Sequence, residues 1–110
     1  MEISIRESDG KTVAALDGSL DTTSAPEVGI VLEERIGAGD VKIIVDLTGV
    51  EFVSSAGLRI LLVAAKKLRS AGGDLGVCGL NETVQEVFDM SGFSTILKVF
   101  PDRDAALEQL

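Results

Sequence analysis

The sequence predicts an α/β fold: a single domain, residues 1–110, whose elements run ββαβαβαβα. Its sheet is mostly parallel, with an antiparallel strand from an opening hairpin and helices flanking it. Three observations predict this. The chain opens on alternating apolar and polar residues that lead into an Asp9-Gly10 pair; a nearly continuous apolar, β-branched run, VKIIVDL, occupies Val41 to Leu47; and apolar stretches at helical spacing alternate with short apolar runs. Strands that alternate with helices imply right-handed crossovers and therefore parallel neighbours.

Each element has its own warrant. Ile3 and Ile5 alternate with Glu2, Ser4 and Arg6, the period-two pattern of a strand with one wet face. Asp9-Gly10 tolerates the positive φ of a tight hairpin turn, and Thr12 to Leu16 resumes the extended run. In GSLDTTSAPEV, Thr22, Thr23 and Ser24 offer capping side chains and Pro26 sits near a helix start; Val28, Val31, Leu32 and Ile36 then repeat at helical spacing up to a stop at Gly37 to Gly39. The Val41 to Leu47 run suits a central parallel strand covered on both faces. Leu58, Leu61, Leu62, Ala65 and Leu68 form one helical stripe, with Lys66, Lys67 and Arg69 near the end where cations suit the dipole and Gly72-Gly73 beyond. LGVC is a short buried strand. Asn81 caps a helix with Val84, Val87 and Phe88 inward, closed by Gly92; Ile96 to Phe100 is a last strand, and Asp104 to Leu110 a terminal helix after a Pro101-Asp102 turn.

Composition narrows the function. Hydrophobic residues make up 45% and charged residues 25%, an ordinary globular balance. With 18 acidic against 10 basic residues the net charge is -8, a field that repels phosphate backbones and anionic membranes, so nucleic acid is not an expected partner. No stretch approaches the ~20 apolar residues of a membrane span, and the opening is a strand pattern and not a signal peptide, which makes direct membrane insertion unexpected and a cytoplasmic location the expectation. The single Cys78 is expected to be a small buried strand residue. Histidine is absent, which removes Ser-His-Asp and Cys-His catalysis and ordinary zinc sites; the chain is not expected to be an enzyme.

Familiar ligand motifs fail on inspection. Gly10-Lys11-Thr12 resembles the end of a P-loop, but Ile5 stands where its first glycine belongs and the segment lies in a hairpin. Gly37-Ala38-Gly39 would need a third glycine where Lys42 stands, so it is a helix stop. Asp17, Asp21 and Asp46 fall near strand ends and could hold magnesium only with help from a substrate phosphate, for which no cradle is visible; they are expected to be loop, cap or solvated residues. No cofactor is expected.

That leaves FVSSAGLRILL, from Phe52 to Leu62, where two serines precede an apolar helix. One hydroxyl can cap the helix by accepting a first-turn N–H, for about 0.5 to 2 kcal/mol; the second has no such requirement. Ala56 and Gly57 are small enough for another backbone to approach closely. A phosphoryl group on a serine here adds roughly -1.5 to -2 charges where a helix start tolerates them. A docking partner would meet a strongly hydrated anion in place of a hydroxyl. Ile60, Val63 and Ala64 form a second apolar strip beside the core stripe, either covered by a neighbouring element or free as a contact patch.

Three segments in register carry a family resemblance. Asp46-Leu47-Thr48-Gly49-Val50 followed by Phe52-Val53-Ser54-Ser55-Ala56-Gly57-Leu58 resembles the signature of STAS domains, specifically bacterial anti-sigma factor antagonists. Gly18 to Ala25 is similar to the family's earlier segment, and Phe88 to Phe93 to its late helix end. The resemblance implies binding to a serine-kinase anti-sigma factor, release of a sigma factor, inactivation by phosphorylation and reactivation by a phosphatase. It places the phosphorylated serine on Ser55, puts Ser54 where aspartate is common, and matches Asp21 to the acidic residue beside the site; Ala56 stands where many relatives have serine or threonine. The partner surface it implies comprises Asp21, Thr22, Thr23, Ser54 to Gly57, Arg59, Ile60 and Val63. Two other functions are compatible with such a sheet: an accessory role in a membrane transporter or stress-signalling assembly, and nucleotide binding on a flavodoxin-like fold.

Overall fold

Glu2–Ser8 (β1) and Lys11–Leu20 (β2) form the opening hairpin, with Ile3 opposite Leu16 and Ile5 opposite Ala14 in the computed structural model, which describes residues 1–110. Asp9 and Gly10 turn it at φ 54° and 76°, the positive values that a two-residue hairpin loop requires. Lys42–Val53 (β3), Asp74–Cys78 (β4) and Lys98–Phe100 (β5) then add in parallel, giving the sheet order β1-β2-β3-β4-β5. Each parallel strand lies beside the one before it, on the same side. Crossovers of one hand therefore place Ala25–Gly37 (α1), Ser55–Ser70 (α2) and Glu82–Ser91 (α3) on a single face, and Arg103–Gln109 (α4) closes the other.

The strand alternation divides the core in two. Ile43, Val45 and Leu47 point into the larger cluster with Leu61, Leu68 and Phe88, whereas Ile44 joins Val13, Cys78, Phe100, Ala106 and Leu110 under α4. Asp46 shares the parity of Ile44 and lies on the α4 side, 7% exposed. No helix is long and apolar enough to cross a membrane.

The structure revises four local expectations. β3 does not stop at Leu47 but continues to Val53, because Val50 and Val53 are buried once the irregular register opposite Gly18 and Leu20 carries the strand past the polar Thr48-Gly49 pair. Thr22, Thr23 and Ser24 supply no capping side chain to α1; Ser24 Oγ instead accepts from the Asp21 N–H at 3.0 Å and donates to the Ser19 carbonyl at 2.7 Å. In α2 it is Ala64 that completes the buried stripe, while Leu62 is half-buried. The last strand is shorter than Ile96 to Phe100, since Phe93–Thr95 forms a 3-10 turn that leads into it.

Candidate functional site at the ends of β2 and β3

β2 and β3 finish side by side. Leu20 pairs with Val53, and the Ser54 N–H donates to the Leu20 carbonyl at 2.8 Å, carrying the pairing one residue beyond the ladder. Both chains then turn away, β2 through Asp21 to Ser24 into α1 and β3 through Ser54 into α2. Two helix starts thus emerge next to each other at the carboxyl edge of the sheet, where open α/β folds hold their ligands.

Gly57 makes this closeness possible. It is buried, and a Cβ there would stand 2.7 Å from Leu20 Cγ and 2.8 Å from the Leu20 carbonyl oxygen. Of the residues expected on the partner surface, Gly57 is buried and forms the floor beneath the two helix starts. The two serines divide their work. Ser54 is extended at φ -85°, ψ 171° and its Oγ accepts the Gly57 N–H at 3.3 Å, which makes it the N-cap. Ser55, the first helical residue, is exposed, and its hydroxyl makes no hydrogen bond within the protein.

Asp21 is committed to its own loop. Its Oδ1 accepts the N–H groups of Thr23 and Ser24, each at 3.0 Å, and the bond from Ser24 leads in holding this carboxyl below the usual range, against the opposing effect of desolvation. Thr22 and Thr23 are exposed, and of the two only Thr22 reaches the hollow between the helix starts. That hollow, about 440 Å³, is bounded on one side by Thr22, Ala25 and Pro26 and on the other by Ser55, Ala56, Arg59 and Ile60. A second hollow of about 430 Å³ continues along the α1–α2 groove past Gly29, Ile30 and Val63, with Glu33 and Glu34 on its α1 rim.

The apolar strip is thus partly covered. Ala64 is buried, Ile60 is half-buried, lying within ordinary contact distance of where a Gly29 side chain would begin, and Val63 remains 42% exposed. Three exposed residues here were missed from the sequence. Ile30 is 59% exposed, out of phase with the buried Val28 and Leu32, and that phase error was its signal; Phe52 is 48% exposed beside the serine loop; Pro26 bounds both hollows.

The carboxylates considered for a metal do not converge, and no group of three His, Cys, Asp or Glu side chains is placed to hold one. Asp17 is exposed on β2. Asp46 belongs to a closed cluster on the opposite face: it accepts from the Thr48 hydroxyl at 2.5 Å, from the Thr48 N–H at 2.9 Å, and from Arg103 Nη2 and Nε at 2.8 and 3.1 Å. Burial pushes its pKa up, but the Thr48 bonds and the Arg103 guanidinium outweigh that and hold it below the ordinary value. Gly79, at φ 72°, roofs the cluster; a Cβ there would fall 2.2 Å from Thr48 Oγ1. Cys78 lies beside Asp46, fully buried as expected, and burial pushes its thiol up to about 12.

Comparison with known proteins gives this geometry a context. A family model described as the STAS domain matches residues 2–106. A Bordetella bronchiseptica protein, BtrV, provisionally named an anti-sigma factor antagonist, is 36% identical over 96% of this chain and 91% of its own length. Among solved structures, an anti-sigma factor antagonist from Mycobacterium paratuberculosis superposes with a TM-score of 0.90 at 25% identity, covering 97% of this chain and 91% of that one. The Bacillus cell fate determinant SpoIIAA shares the fold in its unphosphorylated form at a TM-score of 0.84 and 20% identity, covering 98% of this chain and 95% of that one. Its phosphorylated form does so at 0.75 and 19%, covering 98% of each.

Proposed function

The chain belongs to the STAS domain family, and from that membership we propose that it is an anti-sigma factor antagonist, a protein that acts by binding and not by catalysis. In this reading it docks on a serine-kinase anti-sigma factor and so frees a sigma factor. The kinase ends the interaction by phosphorylating Ser55, and a phosphatase restores it.

One observation carries the reading: of two adjacent serines, Ser54 is used up as the cap of α2, while the Ser55 hydroxyl is exposed and unbonded at the edge of a hollow. A phosphoryl group there carries roughly -1.5 to -2 charges at neutral pH and stands at the positive end of a helix, so the fold tolerates it. A partner seated over Ile30, Ile60 and Val63 does not. Stripping water from so strongly hydrated an anion costs several kcal/mol, and each 1.4 kcal/mol is about a tenfold loss of affinity.

Incubation with the cognate kinase and ATP, followed by peptide mass spectrometry, is expected to place the label on Ser55 alone; label on Ser54 with none on Ser55 refutes the assignment. Ser55→Asp is expected to weaken kinase binding by about tenfold or more in calorimetry while the thermal midpoint stays within a few degrees of wild type. Undiminished binding of the mimic to every native partner would remove the regulatory account. Binding that survives only to a permease-associated partner would move the chain to the accessory role.

A further inference from the structure

We propose that Arg59 is the internal counter-ion of Ser55 once that serine carries a phosphate, so that modification withdraws a cation from the docking surface as well as adding an anion. The inference rests on the phosphorylation reading above.

Most basic side chains of the chain already have partners. Arg35 holds Glu7 and Asp40, Lys67 holds Glu33, Arg69 and Lys98 share Asp74, Arg103 holds Asp46, and Lys11 donates to the Leu107 carbonyl. Arg6, Lys42, Lys66 and Arg59 are left without an ion pair, and of these only Arg59 lines the hollow that Ser55 lines. The spacing is what a clamp needs. Arg59 lies four residues after Ser55, on the same face of α2 and one turn along, and helical side chains lean toward the N-terminus, which directs its side chain back toward the turn that bears the serine, in the hollow that both line. A planar guanidinium meets two phosphate oxygens at once.

The competing charges are few. Asp21, in the loop before α1, is turned into its own backbone. On α1, Glu33 is taken by Lys67, and Glu34, farther along the groove, has no ion pair. In the unmodified chain Arg59 has no ion pair, and Glu34 is the one unpaired carboxylate lining its groove, so the guanidinium is free to meet an acidic group of a partner. A phosphate dianion one turn away outcompetes Glu34. The switch then has two parts, the hydrated anion and the occupied arginine.

The test uses the full chain with phosphoserine installed at position 55 by genetic encoding, with Arg59 retained, Arg59→Lys or Arg59→Gln, and follows the phosphate by phosphorus NMR across its second ionisation. With Arg59 the ionisation is expected at a pH lower by about 0.3 or more than in Arg59→Gln, with Arg59→Lys between them and the gap narrowing at high salt. Superimposed titrations of Arg59 and Arg59→Gln, with both proteins folded by thermal midpoint, would overturn the clamp. Because the phosphate is placed without a kinase, the two readings fail separately: absent kinase labelling of Ser55 removes the proposed function and leaves this measurement intact, while superimposed titrations remove the clamp alone.

Discussion

Two polar sites lie on β3, one in its middle and one just past its end, and they are completed in opposite ways. Around Asp46 both carboxylate oxygens are engaged: Thr48 and Arg103 meet them, α4 covers the cluster, and Gly79 closes the roof without a side chain. Around Ser55 the floor is equally tight, with Gly57 against Leu20 and Ser54 spent on the cap, but the last hydroxyl and the guanidinium beyond it have no partner within the chain. No buried side-chain nitrogen or oxygen anywhere lacks a hydrogen bond. Unmet side-chain polar groups are confined to surfaces that water or another molecule can reach, and that is the physical difference between a site that holds the fold and one that is available for exchange.

If that contrast holds, substitutions should lose less stability as they move from closed floor to open rim. Gly57→Ala is expected to cost most, about 2 to 4 kcal/mol in chemical denaturation, since its Cβ would meet Leu20 Cγ at 2.7 Å and the Leu20 carbonyl at 2.8 Å, and the same carbonyl accepts the Ser54 N–H. A cost below about 0.5 kcal/mol would show that the two helix starts can separate freely, and the floor would not be a floor.

Arg103→Ala comes next, at about 1 to 3 kcal/mol, because it leaves a buried carboxylate with only its Thr48 bonds; the partly exposed guanidinium lowers the figure from that of a fully buried pair. It also carries a pH signature. The folded-state pKa of Asp46 is depressed, so its stabilisation is present above the unfolded value of 3.8 and is lost as pH falls through the lower folded value. Without Arg103 the folded value rises, and acid unfolding of the variant is expected to begin at higher pH than that of wild type. Identical acid limbs would mean that the pair contributes nothing through charge.

What the sequence could disclose divides along the same line. Patterns that repeat locally were legible: the alternation of Ile3 and Ile5, the Val41 to Leu47 run from Ile43 onward, and the stripe from Leu58 to Leu68 each encode burial within a few residues of one another, although Val41 itself is 41% exposed and precedes the strand. The serine loop was legible too, because a cap and a helix start are neighbours in sequence. The Asp46 cluster was not. Asp46 and Arg103 are brought together only when α4 folds back over the sheet, and nothing in the local pattern of either residue marks the other. The extension of β3 was hidden for a similar reason: Thr48 and Gly49 interrupt the apolar run, and only pairing with β2 carries the strand onward to Val53. Pro26 and Phe52 were invisible as surface because exposure of an apolar residue depends on which elements pack above it, whereas Ile30 was marked only by falling out of phase with Val28 and Leu32.

The smallest expected effects make the sharpest use of the contrast, since they compare adjacent residues of one type. Ser54→Ala removes the acceptor for the Gly57 N–H and is expected to cost about 1 kcal/mol, the ordinary worth of an N-cap. Ser55→Ala removes a hydroxyl that bonds to nothing within the protein and is expected to change stability by less than about 0.5 kcal/mol, with either sign, as alanine is the better helix former. Paired denaturation curves of the two variants decide the matter. If Ser55→Ala costs as much as Ser54→Ala, then both hydroxyls hold the loop, and a phosphate on the second could not be added without loosening the helix it starts. If only Ser54→Ala is destabilised, one serine has been left free of structural duty, and its chemistry can change without the fold having to answer for it.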